Sequence, residues 1–363
     1  MAGSAPLQWR IIVGTKEDGA TGVARSQQEP EMLVYIIRRL MQAALVMVVM
    51  SAVVFAGIYV IGDPVAMMIS PDASEVEREA VRVTLGLDQP MWRQYLTFVG
   101  DALHGDFGKS FLAGQPAMGL IFERMPATME LAVASLILSL LIGLPMGVYA
   151  GLRPHAPGSK AIMTGSILGF SLPNFWVGLM LIMVFAVLLP DLIPWWPRLP
   201  ASGRGTTVNL LGVPVSFLTA DGLLHLILPA LTLAFYKGAL IVRLARATAR
   251  EVLPMDYIKF ARAKGLSENR VVGVHVLKNI MIPIATVSGL EFGQTVAFAV
   301  VTETVFSWPG MGKLLIDSIL LLDRPVVVAY LVVIVFFFVI LNLGVDLLYS
   351  VLDPRVRLES RAT

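Results

Sequence analysis

Six stretches of this 363-residue chain are almost continuously apolar for about 20 residues or more. They cover residues 40–61, 128–152, 161–189, 223–242, 280–306 and 326–349. About 20 apolar residues in a helix cross a bilayer core. None of the runs alternates with the period of two that a membrane-facing strand needs, which excludes a β-barrel. Pro173, Pro229 and Pro283 fall within or near three of them. Such prolines are tolerated where neighbouring helices satisfy the freed backbone groups. The pattern predicts an all-α, polytopic membrane protein with six transmembrane helices. The first run is too long and too far from Met1 for a secretory signal.

Composition agrees. Hydrophobic residues make up 56% and charged residues 15%, against about 45–50% and 25% in soluble domains, and mean hydropathy is +0.75. A net charge of +2 excludes a dominant basic field, so no nucleic-acid partner is expected. The chain has no cysteine, which removes disulfides and thiolate ligands together.

Lys and Arg sort unevenly between the runs. The side that carries both termini has 18 of them and the opposite side 9, with Lys237 inside the fourth run. Basic residues accumulate on the cytoplasmic side, so both termini are expected there. Residues 1–31 are polar and aperiodic and read as a disordered tail or a start placed too early; 358–363 form a short tail. Residues 62–127 form an outer cap. In it Ser74 caps a helix with Glu75, Glu77 and Glu79 in its first turns, and Gly86 ends that helix. A second helical stripe runs from Trp92 to Leu103. The cap either packs on helix ends or docks an external partner. Trp195 and Trp196 suit the headgroup level.

The inner segment 243–279 is long and basic. Asp256 is placed to cap a short helix that ends at Gly265, and Ser267 to cap a second one. Tyr257, Phe260, Ala261 and Lys264 recur at helical spacing on one face. Such a helix either presses into a groove of a cytoplasmic partner or lies on anionic lipid.

Catalytic chemistry is missing. The four histidines have no metal-ligand spacing. Gly108-Lys109-Ser110 resembles the end of a phosphate loop, but Leu103 stands where that motif needs glycine. No cofactor, metal or ATP site is expected in this chain. Within the spans lie Glu130, Lys237, Glu291, Glu303 and Asp346, where charge is costly and marks function by default. Lys237, Glu291 and Glu303 are the candidates for a translocation path. Lys237 and Glu291 are deep and opposite in sign; they either neutralise each other or face a water-filled path separately. Glycine pairs 143/147, 165/169 and 289/293 permit close helix contact.

The run from Asp256 through Gly265 to Ser267, followed by His275-Val-Leu-Lys-Asn279 and Pro283, resembles the coupling loop of ABC importer permeases, above all the dipeptide/oligopeptide/nickel subfamily. Met32–Arg39, Leu85–Pro90, Gly105–Ser110, Ser171–Trp176, Glu303–Gly310 and Leu352–Arg355 resemble further signatures of that subfamily. The likeness covers residues 32–357. It implies a type I importer permease fold, and Asp256, Tyr257, Phe260, Ala261, Ala263, Lys264, Gly265 and Leu266 as the ATPase-coupling residues. It implies a second permease subunit in a heterodimer, two cytoplasmic ABC ATPase subunits and an extracytoplasmic solute-binding protein as partners. The setting would be the lipid of the inner membrane, and the cargo peptides or similar small solutes. Lys259-Phe260-Ala261 replaces the general motif's Glu-Ala-Ala, and Lys278 its later proline; both departures are familiar in the peptide subfamily. Two other classes remain: an ion-coupled secondary transporter that uses Glu291 or Lys237, and a membrane anchor that recruits a cytoplasmic protein.

Overall fold

A computed structural model describes residues 37–38, 40–57, 65, 74–84 and 86–352, with side chains through Val345 in the final helix. The tails 1–31 and 358–363, Asp346 and the Asp353–Arg355 end of the last motif lie outside that description, as does part of the cap. The chain separates into two units, Met1–Val48 and Val49–Thr363. All the described elements belong to the second, apart from the first turns of one helix.

Among the described residues, six helices are long and apolar enough to cross a membrane. α1 is Leu40–Gly57. Two cap helices follow, α2 (Glu75–Thr84) and α3 (Met91–Leu103). α2 opens on a reciprocal capping box. The Ser74 N–H donates to Glu77 Oε2 (2.8 Å), and the Glu77 N–H to Ser74 Oγ (3.3 Å). The bonds that its carboxylate accepts from the Ser74 N–H and the Ser74 hydroxyl hold the pKa of the exposed Glu77 below its ordinary range. Gly86, at φ 66°, ends α2 as expected.

α4 (Ala117–Leu152) and α7 (Ala220–Val252) form the central pair. Both outrun the apolar stretches that predicted them, because a polar residue at a helix end does not stop the backbone ladder. Glycines on α4 let α7 approach closely. A Cβ on Gly143 would sit 2.9 Å from the Gly238 carbonyl oxygen, and one on Gly147 2.6 Å from both Ala245 Cβ and the Val242 carbonyl oxygen. The pattern extends to Gly151, which faces Ala249 at 2.7 Å. Gly169 likewise abuts Ala239 and Phe235, whereas Gly165 meets nothing within 4 Å.

The third apolar run is not one helix. α5 (Pro157–Ser171) stops at Leu172, and Pro173 caps a separate helix. Pro173 has no N–H and drives Leu172 into an extended conformation (ψ 136°). The following span, α6, runs over Asn174–Leu192 and includes a π-helical stretch, Ile182–Leu188. A small hairpin, β1 (Val208–Leu210) and β2 (Val213–Val215), turns through Leu211 and Gly212, both at positive φ.

After α7 come α8 (Asp256–Ala263) and the fifth span α9 (Glu268–Phe298), which carries a π segment at Val271–Val276. The fifth span thus begins well before residue 280. α10 (Val300–Val305), α11 (Met311–Leu320) and α12 (Arg324–Leu352) complete the chain. On α9, Gly289 faces Val345 and Gly293 faces Leu341 and Phe338 of α12.

Candidate functional site

The elbow between α7 and α9 is built on α8. Ile258 and Ala261 point down from it and are buried with Ala245, Ala249, Val252, Val271, Val276 and Ile280. Full burial of an isoleucine side chain stabilises by about 1.5–3 kcal/mol. The short helix is therefore fastened to the ends of α7 and α9 as one body. Its other side is bare: Tyr257 is 44% and Phe260 61% exposed. Lys264 Nζ lies 4.6 Å from the Phe260 ring centroid. Ala263 and Gly265 are exposed and Leu266 is half-buried against the same core.

Gly265 ends the elbow at φ 78°. The Gly265 N–H donates to the Arg262 carbonyl at 2.9 Å and the Leu266 N–H to the Ala261 carbonyl at 3.3 Å. The left-handed stop expected from sequence is present. The caps differ from expectation. Asp256 is the first helical residue rather than the cap, and accepts from Lys259 Nζ at 2.9 Å. That bond lowers its carboxyl's pKa from the ordinary value. Ser267 makes no side-chain cap, and Glu268 instead holds Arg262 at 2.6 Å. The hydrogen bond raises the Arg262 pKa further.

Deeper in the membrane domain, α7 and α9 are joined by charge. Lys237 Nζ donates to Glu291 Oε2 at 3.0 Å and to the Glu291 carbonyl oxygen at 2.7 Å. Thr295 Oγ1 donates to that same carbonyl at 2.7 Å. Of the two arrangements left open by the sequence, mutual neutralisation is the one observed.

Two other carboxylates are anchors at the opposite end. Glu130 pairs with Arg204 at 2.7 Å and accepts from the Ser216 N–H, Ser216 Oγ and the Phe217 N–H at 2.7–2.8 Å. It thereby ties the hairpin segment to α4. Glu303 is fully buried. It accepts from Thr128 Oγ1 at 2.6 Å and the Lys313 N–H at 2.9 Å, while Thr128 Oγ1 accepts from the Met311 N–H at 2.8 Å. The pair satisfies the start of α11, where the helix dipole favours negative charge. Gly310 must be glycine because a Cβ there would land on the Glu303 carboxylate.

The chain matches the family of binding-protein-dependent transport system inner membrane components over residues 143–358. That family's N-terminal segment matches over residues 32–132. Among curated relatives it is 38% identical to the dipeptide transport system permease protein DppB of Escherichia coli (strain K12). It is also 38% identical to the oligopeptide transport system permease protein AppB of Bacillus subtilis (strain 168), and 36% to the glutathione transport system permease protein GsiC of E. coli (strain K12). Each alignment covers 90% of this chain and 99% of the relative. The chain belongs to this family of permease components. A chain of the inward-facing MetNI methionine ABC transporter superposes with a TM-score of 0.50 at 15% identity, covering 65% of this chain and 97% of that one. At that identity the likeness speaks for the fold alone, an ABC importer permease fold.

Placed in the permease, two sequence-derived assignments need correction. Ala261 does not share the exposed face with Tyr257 and Phe260; it is 5% exposed and faces the core. Spacing alone missed this because an eight-residue helix offers two turns, too few to fix which flank of an apolar stripe is covered. Glu303 does not line a path, since its oxygens are taken by Thr128 and the start of α11. The sequence reading also missed Asp323, which is buried and receives Ser110 Oγ and the Phe111 N–H. Its residue type was visible, but its partner lies more than 200 positions away.

Proposed function

We propose that this permease works in an ATP-driven ABC importer for peptides or closely related small solutes, levered through α8. The observation that carries the reading is the two-sidedness of that helix. Ile258 and Ala261 lock it to the inner ends of α7 and α9, while Tyr257 and Phe260 stand exposed, with only Lys264 of the same helix end against the Phe260 ring. A push on the aromatic side is transmitted to two spans at once, because the packed base cannot deform independently. Family membership supports a solute-binding protein as the donor of cargo. The relatives named for dipeptide, oligopeptide and glutathione transport support the cargo class.

In this reading each of two cytoplasmic ATPases receives one α8, and a second, non-identical permease completes the path. Both termini and α8 face the cytoplasm, in keeping with the distribution of Lys and Arg. ATP is hydrolysed on the partner subunits and not here. Lys237 and Glu291 tie the two levered spans together at mid-depth.

Reconstitution tests this. Uptake of a dipeptide into proteoliposomes should need the permease pair, the ATPases, the binding protein and ATP together. Uptake driven by a proton gradient alone would instead support the ion-coupled alternative. Absence of uptake under every condition would reduce the chain to an anchor.

A further inference from the structure

Gly203, Arg204 and Gly205 join four parts of the molecule at the end opposite α8. The Gly203 N–H donates to the Phe306 carbonyl oxygen, between α10 and α11, at 2.8 Å. The Arg204 guanidinium holds Glu130 of α4 through Nε (3.0 Å) and a terminal nitrogen (2.7 Å). That terminal nitrogen also donates to the Pro214 carbonyl oxygen of β2 at 2.7 Å. The guanidinium lies 5.9 Å from the centroid of the Trp308 ring, within reach of cation–π attraction. Trp308 is fully buried, and its indole Nε1 donates to the Ala127 carbonyl oxygen of α4 at 2.9 Å. Gly205, at φ 69°, packs against the first turns of α7: a Cβ there would stand 2.7 Å from both Asp221 Oδ2 and His225 Nδ1. The Thr206 N–H then donates to Asp221 Oδ2 at 2.7 Å.

Three of those parts lead into spans: α4, α7 and, through α10, α9. One short segment thus bridges the far ends of both spans that hold α8, together with α4, which packs along α7. Its contacts do not stretch. Hydrogen bonds weaken steeply once distance or angle leaves a narrow range. The Glu130 carboxylate accepts them from Arg204, Ser216 and Phe217 together, and the Arg204 and Glu130 side chains are only 9% and 4% exposed. Parting them would strand an uncompensated charge on each side, away from water. A transport cycle that opened this junction would meet that cost at every turn. A cycle that tilts the spans about it would not.

We propose that this junction stays shut throughout transport and is the fulcrum of the spans levered by α8, with Arg204 as its positioning residue. Displacement of α8 then tilts α7 and α9 about their far ends and does not part them there. The proposal rests on the ATP-driven importer reading, and its experiment separates the failure of one from the failure of the other.

The chain has no cysteine, and Ser202 and Ser307, both exposed, flank the Gly203–Phe306 bond. In the assembled importer, the variant Ser202→Cys with Ser307→Cys is bridged by a short bis-methanethiosulfonate; the bridge is read by mass and reversed with a reductant. Without ATP-driven dipeptide uptake by the unmodified chain, the importer reading falls and the fulcrum with it. Given that uptake, the bridged variant should keep most of it. Loss on bridging and return on reduction would reveal a gate and overturn the fulcrum, and failure of any bridge to form would overturn the junction itself. Arg204→Gln should lower uptake per assembled complex about fivefold or more, the scale of a lost coupling, while the partner subunits go on hydrolysing ATP. Arg204→Lys keeps the charge without the planar fork and should fall between. Bridging Ser202→Cys to Ser307→Cys should restore uptake to Arg204→Gln. Unchanged uptake per assembled Arg204→Gln complex, or no gain from the bridge, would make Arg204 a folding contact and overturn its positioning role. The bridged variant retains Arg204, so it decides the matter even where Arg204→Gln fails to assemble.

Discussion

At the residue scale, the elbow separates two roles that adjacent positions disguise. Phe260→Ala removes an exposed ring and should abolish co-purification of the ATPases while leaving the melting temperature of the purified permease within about a degree. Ala261→Arg drives a charge into the core beneath α8 and should lower both. Equal thermal loss in the two variants would show that Phe260 is structural. Gly265→Val forces a β-branched residue to φ 78°. A left-handed conformation costs an ordinary residue about 1–2 kcal/mol, and β-branching adds to that. ATP-driven uptake should fall sharply with Val and largely survive with Asn, which tolerates this region. The Lys237–Glu291 pair belongs to the same scale. Removing one partner of a buried pair costs about 3–5 kcal/mol because the other charge is stranded, while replacing both by apolar groups is often neutral. Glu291→Leu alone should destabilise the protein in a thermal assay, and Lys237→Leu with Glu291→Leu should restore most of the loss.

At the element scale, the α4–α7 seam makes a finer distinction. Gly151→Ala meets chiefly the Ala249 side chain (2.7 Å), the nearest backbone oxygen being 3.2 Å away. Gly147→Ala meets the Val242 carbonyl as closely as the Ala245 side chain. Ala249→Gly should therefore rescue the folded yield of Gly151→Ala. Ala245→Gly should leave Gly147→Ala impaired, because the backbone cannot be trimmed. The existence and approximate placing of the spans were legible, since twenty apolar residues in a row have few other uses. Their ends were not. The sequence pattern read 161–189 as continuous, although Pro173 divides it, and began the fifth span near 280 although the helix starts at Glu268. Apolarity reports which residues meet lipid or core, and a helix continues past both.

At the scale of the whole molecule, the two ends of the permease are organised differently. The end at α8 is joined by apolar packing around Ile258 and Ala261, the opposite end by buried carboxylates that bind distant backbone. Glu130→Ala would leave the Ser216 and Phe217 N–H groups and Arg204 without their acceptor. Segment 204–217 should then become cleavable by protease added from outside in sealed cells, with helix content by circular dichroism unchanged. Cleavage only from the cytoplasmic face would reverse the proposed orientation.

The sequence by itself settled the membrane class, the six spans, the glycine stop of the elbow and the family likeness, because each depends on local composition, spacing or a single backbone torsion. Tertiary structure alone decided which side of α8 is free, that Lys237 finds Glu291 and that Glu303 serves a helix start. Those are questions of what stands opposite a side chain. Burial and charge pairing are properties of a neighbourhood, and the chain assembles that neighbourhood from positions far apart in its order.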